Sequence, residues 1–154
     1  RGTGSGVTID KALVGLPVGK GEIRRHGQTV ALLAFGSMLT PALAAGDELD
    51  ATVANMRFVK PIDEQLIVSL AREHSLLVSV EENAVIGGAG SEVERIVQQH
   101  GLTVRCLRLG LPDHFIEHGD QASLLAEIGL DRDGIVNSVR EQLAALPSRQ
   151  EPQP

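Results

Sequence analysis

The alternation of short aliphatic runs with stretches of helical spacing constrains this chain more than any other feature. Runs at residues 29–35, 51–57, 76–80 and 104–109 are rich in Val, Leu, Ile and Ala. Runs this short, with little polar alternation, suit strands buried on both faces. Between them lie helical signals. Thr40 followed by Pro41 fits an N-cap with Pro at the first helical position, for a helix reaching about Leu49. Asp63 stands as an N-cap ahead of Leu66, Ile67, Leu70 and Ala71, which share one helical face. Ser91 and Glu94 have capping-box spacing ahead of Val93, Ile96 and Val97, although the preceding glycines can move that helix start forward. His100-Gly101 reads as the end of this helix. A short strand at residues 22–25 precedes the first long run, and the His26-Gly27 turn predicts that the two pair as an antiparallel hairpin. After the last run come a loop at 112–120, a short helix at 121–128 closed by Gly129, and a final helix at 134–145. The last buries Ile135, Val136, Val139 and Leu143. This order predicts an α/β fold, a mostly parallel sheet with helices on both faces and right-handed crossovers.

A length of 154 residues suits one domain with a real core. Residues 1–19 read as an interdomain linker and the end of a preceding domain, because Gly2, Gly4, Gly6, Gly15, Pro17 and Gly19 break any periodicity. Residues 20–146 form the domain, and the polar, Pro-rich 147–154 read as a disordered tail. The chain begins Arg1-Gly2-Thr3 without Met, which reads as a piece of a longer polypeptide.

Composition excludes several function classes. Three Phe and no Tyr or Trp argue against a base-stacking surface. A net charge of -6 argues against a polyanion partner, so no nucleic acid is expected. The single cysteine, Cys106, rules out an intrachain disulfide and a CxxC metal site; in its strand it reads as a packing thiol. No apolar run approaches the roughly 20 residues that span a bilayer, and no signal-peptide pattern is present. The expectation is a cytoplasmic domain with no membrane contact.

Two strand-to-helix junctions carry the candidate chemistry. Gly87-Gly88-Ala89-Gly90 precedes a helix, where bare N–H groups and the helix dipole can cradle an anion. The alternative is a close turn where a side chain would clash; the string is neither G-x-G-x-x-G nor a P-loop. Glu81 and Glu82, adjacent in a strand, point to opposite faces, so one reads as buried and the other as solvated rather than as an acid/base pair. Arg57 and Lys60 flank the end of another strand, where open sheets bind ligands; a solvated or interdomain ion-pair role stands beside that reading. His114 and His118 have the spacing of helical metal ligands, but Pro112 and Asp113 place them in a loop without a third ligand. No nucleophile has a supporting base.

The ordered strings Leu16-Pro17-Val18-Gly19-Lys20-Gly21, Phe35-Gly36, Met56-Arg57-Phe58-Val59-Lys60-Pro61-Ile62-Asp63, Val80-Glu81-Glu82-Asn83, Gly87-Gly88-Ala89-Gly90-Ser91, Leu109-Gly110-Leu111-Pro112-Asp113 and Glu127-Ile128-Gly129-Leu130-Asp131 are similar to the C-terminal part of the bacterial 1-deoxy-D-xylulose-5-phosphate synthase family. The resemblance runs from Arg1 to about Leu143. It implies a three-layer transketolase C-terminal-like domain with about five strands. It implies an enzyme that condenses pyruvate with glyceraldehyde 3-phosphate, releasing carbon dioxide, using thiamine diphosphate and Mg2+ bound by other parts of the polypeptide. It also implies packing against the N-terminal part of the same enzyme and a homodimer partner. The resemblance gives Arg57 and Arg1 as contacts to the acceptor's phosphate, a task that suits a guanidinium. It gives no catalytic, cofactor-binding or metal residue, so the piece alone is expected to be inactive. A dehydrogenase-type subunit domain of the same fold and a free-standing anion-binding domain remain the alternatives.

Overall fold

The structure is a computed structural model and describes residues 15–145. The readings made for residues 1–14, Arg1 among them, and for 146–154 lie outside the described residues. The elements follow in the order β1 (Glu22–Arg25), β2 (Val30–Ala34), α1 (Leu39–Leu49), β3 (Thr52–Asn55), α2 (Glu64–Glu73), β4 (Leu76–Ala84), α3 (Ala89–Gln99), β5 (Arg105–Leu111), α4 (Gln121–Glu127) and α5 (Arg132–Ala144). They build a five-stranded sheet of order β1-β3-β2-β4-β5. The pairs β2–β3, β2–β4 and β4–β5 are parallel, and β1–β3 is antiparallel.

The aliphatic runs become buried strands because both sheet faces are covered. In β2 the side chains alternate: Val30, Leu32 and Ala34 meet one core, and Ala31 and Leu33 meet the other. The first core is closed by Ala42 and Ala45 of α1 and by Ile135, Val136 and Val139 of α5. The second is closed by Ile67 and Leu70 of α2 and by Val93 and Ile96 of α3. Every residue of β2 is buried, as a central parallel strand requires.

The expected β1–β2 hairpin does not form. Both edges of β2 are taken by parallel neighbours, so β1 pairs with the free edge of β3, Glu22 opposite Asn55. The turn after β1 instead docks on the start of β3: Gly27 N–H donates to Thr52 Oγ1 at 2.9 Å and Gln28 N–H to Asp50 O at 3.0 Å.

Two helix starts differ from expectation. Thr40 is not a cap: a single 3-10 turn at Gly36–Met38 leads directly into α1, and Pro41 lies inside the first turn, where no N–H is missed. Ser91 is not a cap either, because α3 starts earlier, at Ala89. The predicted cap that holds is one whose acceptor is local. Asp63, as expected, accepts from Leu66 N–H; Asp120 and Asp131, for which no cap was read from the sequence, cap α4 and α5 in the same way. β3 ends sooner than its apolar run, at Asn55, since Arg57 adopts a left-handed φ of 58° and Asn55 Oδ1 takes its N–H at 3.2 Å.

Ser79 and Leu32 test this packing from opposite directions. Ser79 Oγ is buried without a hydrogen-bond partner, so Ser79→Ala is expected to leave stability unchanged or raise it. Leu32 is fully buried in the central strand, so Leu32→Ala is expected to cost about 2–5 kcal/mol. Urea unfolding midpoints of the two variants check the contrast.

Candidate functional site at the strand ends

The connections leaving β2 and β4 diverge to opposite sides of the sheet, the point at which open α/β sheets form a crevice. A cleft of about 800 Å³ lies there. Phe35, Gly36 and Ser37 after β2, Arg57 and Val59 to Ile62 after β3, and Glu81 to Asn83 in β4 line it together with the start of α3.

The two adjacent carboxylates separate as strand geometry demands. Glu81 is buried, and its oxygens accept from Ala89 N–H and Gly90 N–H, each at 2.8 Å. The first turn of α3 thus receives its anion from within the chain. Gly88 is required at this spot, because a Cβ there would stand 2.4 Å from Glu81 Oε2. The glycine string is therefore a close turn around a resident carboxylate, and the phosphate-cradle reading is displaced by Glu81. Glu82 faces solvent, where Ser37 Oγ donates to it at 2.5 Å and Gln121 Nε2 at 2.9 Å. Ser37 and Gln121 had no signal in the sequence, since neither lies near Glu82 along the chain.

On the opposite wall, Arg57 is mostly buried and its Nη2 donates to Glu22 Oε2 at 2.5 Å. The pair joins β1 to the segment after β3 and leaves the remaining guanidinium donors unassigned by any described partner. Lys60 is exposed, and the Lys60-Pro61 peptide is cis. On α3, Arg95 bonds both oxygens of Glu92 and holds its carboxyl below the usual range. The basic residues at the strand ends thus come together on one rim, with the carboxylates of β4 on the other.

The remaining candidates lie apart from the cleft. His114 and His118 are exposed in the loop before α4. Among the described residues, no group of three or more His, Cys, Asp or Glu is placed to hold a metal ion. With the α3 start already filled by Glu81, these residues do not fit a magnesium-bound diphosphate. Cys106 sits half-buried in β5, where burial pushes its thiol up to about 11, as befits a packing residue.

The match to "Transketolase, C-terminal domain" covers residues 19–135. The chain belongs to the transketolase C-terminal domain family. Within that family, it is 66% identical over 140 residues to the 1-deoxy-D-xylulose-5-phosphate synthase of Dechloromonas aromatica (strain RCB), covering 91% of this chain and 23% of that protein. It is 64% identical over 139 residues to the synthase of the same name from Azoarcus sp. (strain BH72), covering 90% and 22%. For that of Nitrosomonas eutropha (strain DSM 101675 / C91 / Nm57) the identity is 58% over 144 residues, covering 94% and 24%. The chain thus spans less than a quarter of the length of these curated relatives. A split-gene transketolase, solved as an inactive β4 tetramer, superposes with a TM-score of 0.76 at 32% identity, over 85% of this chain and 43% of that one. The R525L transketolase of Pichia stipitis shares the fold, with a TM-score of 0.56 at 16% identity over 80% of this chain and 18% of that one. No helix among the described residues is long and apolar enough to cross a membrane.

Two measurements test this site. Glu81→Ala strands two N–H groups that the fold buries around that carboxylate, and is expected to lower the thermal midpoint by more than any exposed-surface substitution. Alkylation of Cys106 should be slow at pH 8. With the thiol pushed from 9.0 to about 11, the thiolate fraction in the folded chain is roughly a hundredfold below that in urea. The rate should climb as pH rises toward 11.

Proposed function

We propose that this chain is the C-terminal part of a synthase that condenses pyruvate with glyceraldehyde 3-phosphate to 1-deoxy-D-xylulose 5-phosphate, with loss of carbon dioxide. The observation that carries this reading is the 58–66% identity to synthases of that name across nine-tenths of the chain, together with the guanidinium of Arg57 at the cleft. Arg57 binds and orients the acceptor's phosphate, and Arg1 is proposed as its second contact. Thiamine diphosphate and Mg2+ belong, in this proposal, to the remainder of the polypeptide. The residues of this chain contribute binding and packing.

The packing role has its own support. Among the described residues, the exposed large apolar side chains are Leu16, Val18, Val59, Ile86 and Phe115. Leu16 and Val18 precede antiparallel β1, and Val59, Ile86 and Phe115 follow the parallel strands β3, β4 and β5. All five therefore belong to the same end of the sheet. An apolar fringe gathered at one end marks a surface to be covered, and we assign it to the preceding domains and the homodimer partner. The split-gene neighbour was solved as an inactive assembly. That supports expecting no chemistry from a separately purified chain of this fold.

Product analysis tests the proposal. The full-length enzyme should form the sugar phosphate from its two substrates, whereas this chain alone should form none. In the full-length enzyme, Arg57→Ala should raise the KM for glyceraldehyde 3-phosphate roughly ten- to a hundredfold and leave the KM for pyruvate nearly unchanged. An acyl-carrier product would instead favour the dehydrogenase-type reading.

A further inference from the structure

The segment entering the domain grips the Arg57 loop at successive residues. Gly19, with φ 73°, lies so close to Pro61 that a Cβ there would meet Pro61 Cγ at 2.9 Å. Lys20 Nζ donates to Asp63 Oδ1 at 3.5 Å and Gly21 N–H donates to Asp63 Oδ2 at 3.0 Å. Glu22 then takes Nη2 of Arg57 at 2.5 Å. The central member of this clasp is Asp63, which is buried and also caps α2 through Leu66 N–H at 3.2 Å. Its two oxygens divide the work: Oδ1 holds the helix start and meets the Lys20 ammonium, and Oδ2 alone holds the incoming backbone.

We propose that Asp63 is a positioning residue for the acceptor's phosphate, acting by locking the incoming segment, and with it Glu22, against the loop that carries Arg57. The proposal rests on the reading of Arg57 as a phosphate contact. Arg57 stands in a left-handed conformation two residues beyond the end of β3, so the strand ladder does not hold its backbone. Its guanidinium is held by Glu22, and Glu22 follows directly on the residue that Asp63 binds. Orientation of a bound group to within about an ångström governs how much binding reaches the reacting centre.

Asp63→Asn in the full-length enzyme separates the two duties. With Oδ1 still accepting from Leu66 N–H, the new amide N–H2 faces Gly21 N–H, donor against donor. The helix cap survives and the backbone contact of the clasp, Gly21 N–H to Oδ2, is lost. The expected result is a roughly tenfold rise in the KM for glyceraldehyde 3-phosphate. The KM for pyruvate, kcat and turnover of unphosphorylated glyceraldehyde should change less than about twofold. Unchanged kinetics, or a uniform loss across all substrates, would overturn the proposal. Should Asp63→Asn fail to fold, Glu22→Gln breaks the last contact of the clasp at a partly exposed site. The same selectivity loss is then expected, with recovery in Glu22→Asp; a Glu22→Gln enzyme with wild-type selectivity overturns the proposal. Arg57→Ala distinguishes the failures. If that variant keeps its preference for the phosphorylated acceptor, the phosphate reading falls. If it loses the preference while Asp63→Asn and Glu22→Gln keep it, only the clasp falls.

Discussion

The buried carboxylate of Glu81 organises the functional end of this domain. A helix start leaves N–H groups without intrahelical partners and carries partial positive charge. In many α/β proteins that charge receives a phosphate. Here Glu81 reaches from β4 to the amides of Ala89 and Gly90, and Gly88 leaves the space for it. The result is rigid anchoring of α3 against β4. The same contact removes the glycine turn from the set of free anion sites, and Arg57 and Lys60 stand on the opposite rim.

A second carboxylate does comparable work at the other side of the cleft. Asp63 closes the start of α2 and binds the segment that brings the chain into the domain. The two acids share one physical device. Each is buried and each accepts N–H at a helix start; Glu81 ties β4 to the helix that follows it, and Asp63 also ties α2 to a segment 42 residues away. Between them they fix the connections after β3 and β4, two of the three that build the cleft. The exposed apolar side chains lie at this same end of the sheet.

Much of the architecture is legible in the residues alone. The runs that form β2, β3, β4 and β5, the Asp63 cap, the short α4 closed by Gly129 and the opposed faces of Glu81 and Glu82 all follow from spacing and local chemistry. The departures have a common cause. Ser91 has the sequence context of a cap because Glu94 stands at the right offset, yet the true acceptor sits eight residues upstream of Ala89. A hairpin of β1 with β2 is natural from the turn between them, yet the edges of β2 are claimed by β3 and β4. The ion pair of Arg57 with Glu22 joins residues 35 apart, and the contact of Gln121 with Glu82 joins residues 39 apart. No local pattern announces either.

The sequence by itself determined the α/β class, the approximate strands and helices, the absence of an intrachain disulfide and the family resemblance. These depend on hydrophobic period, on capping chemistry and on motif strings, all of which act within a few residues. Tertiary structure alone decided the strand order, which carboxylate fills the α3 start, and what holds the Arg57 guanidinium. Each of those is a competition for a buried position or a free edge. Such competitions are settled only when segments far apart in the chain are packed together, because desolvation makes one partner mandatory and excludes the rest.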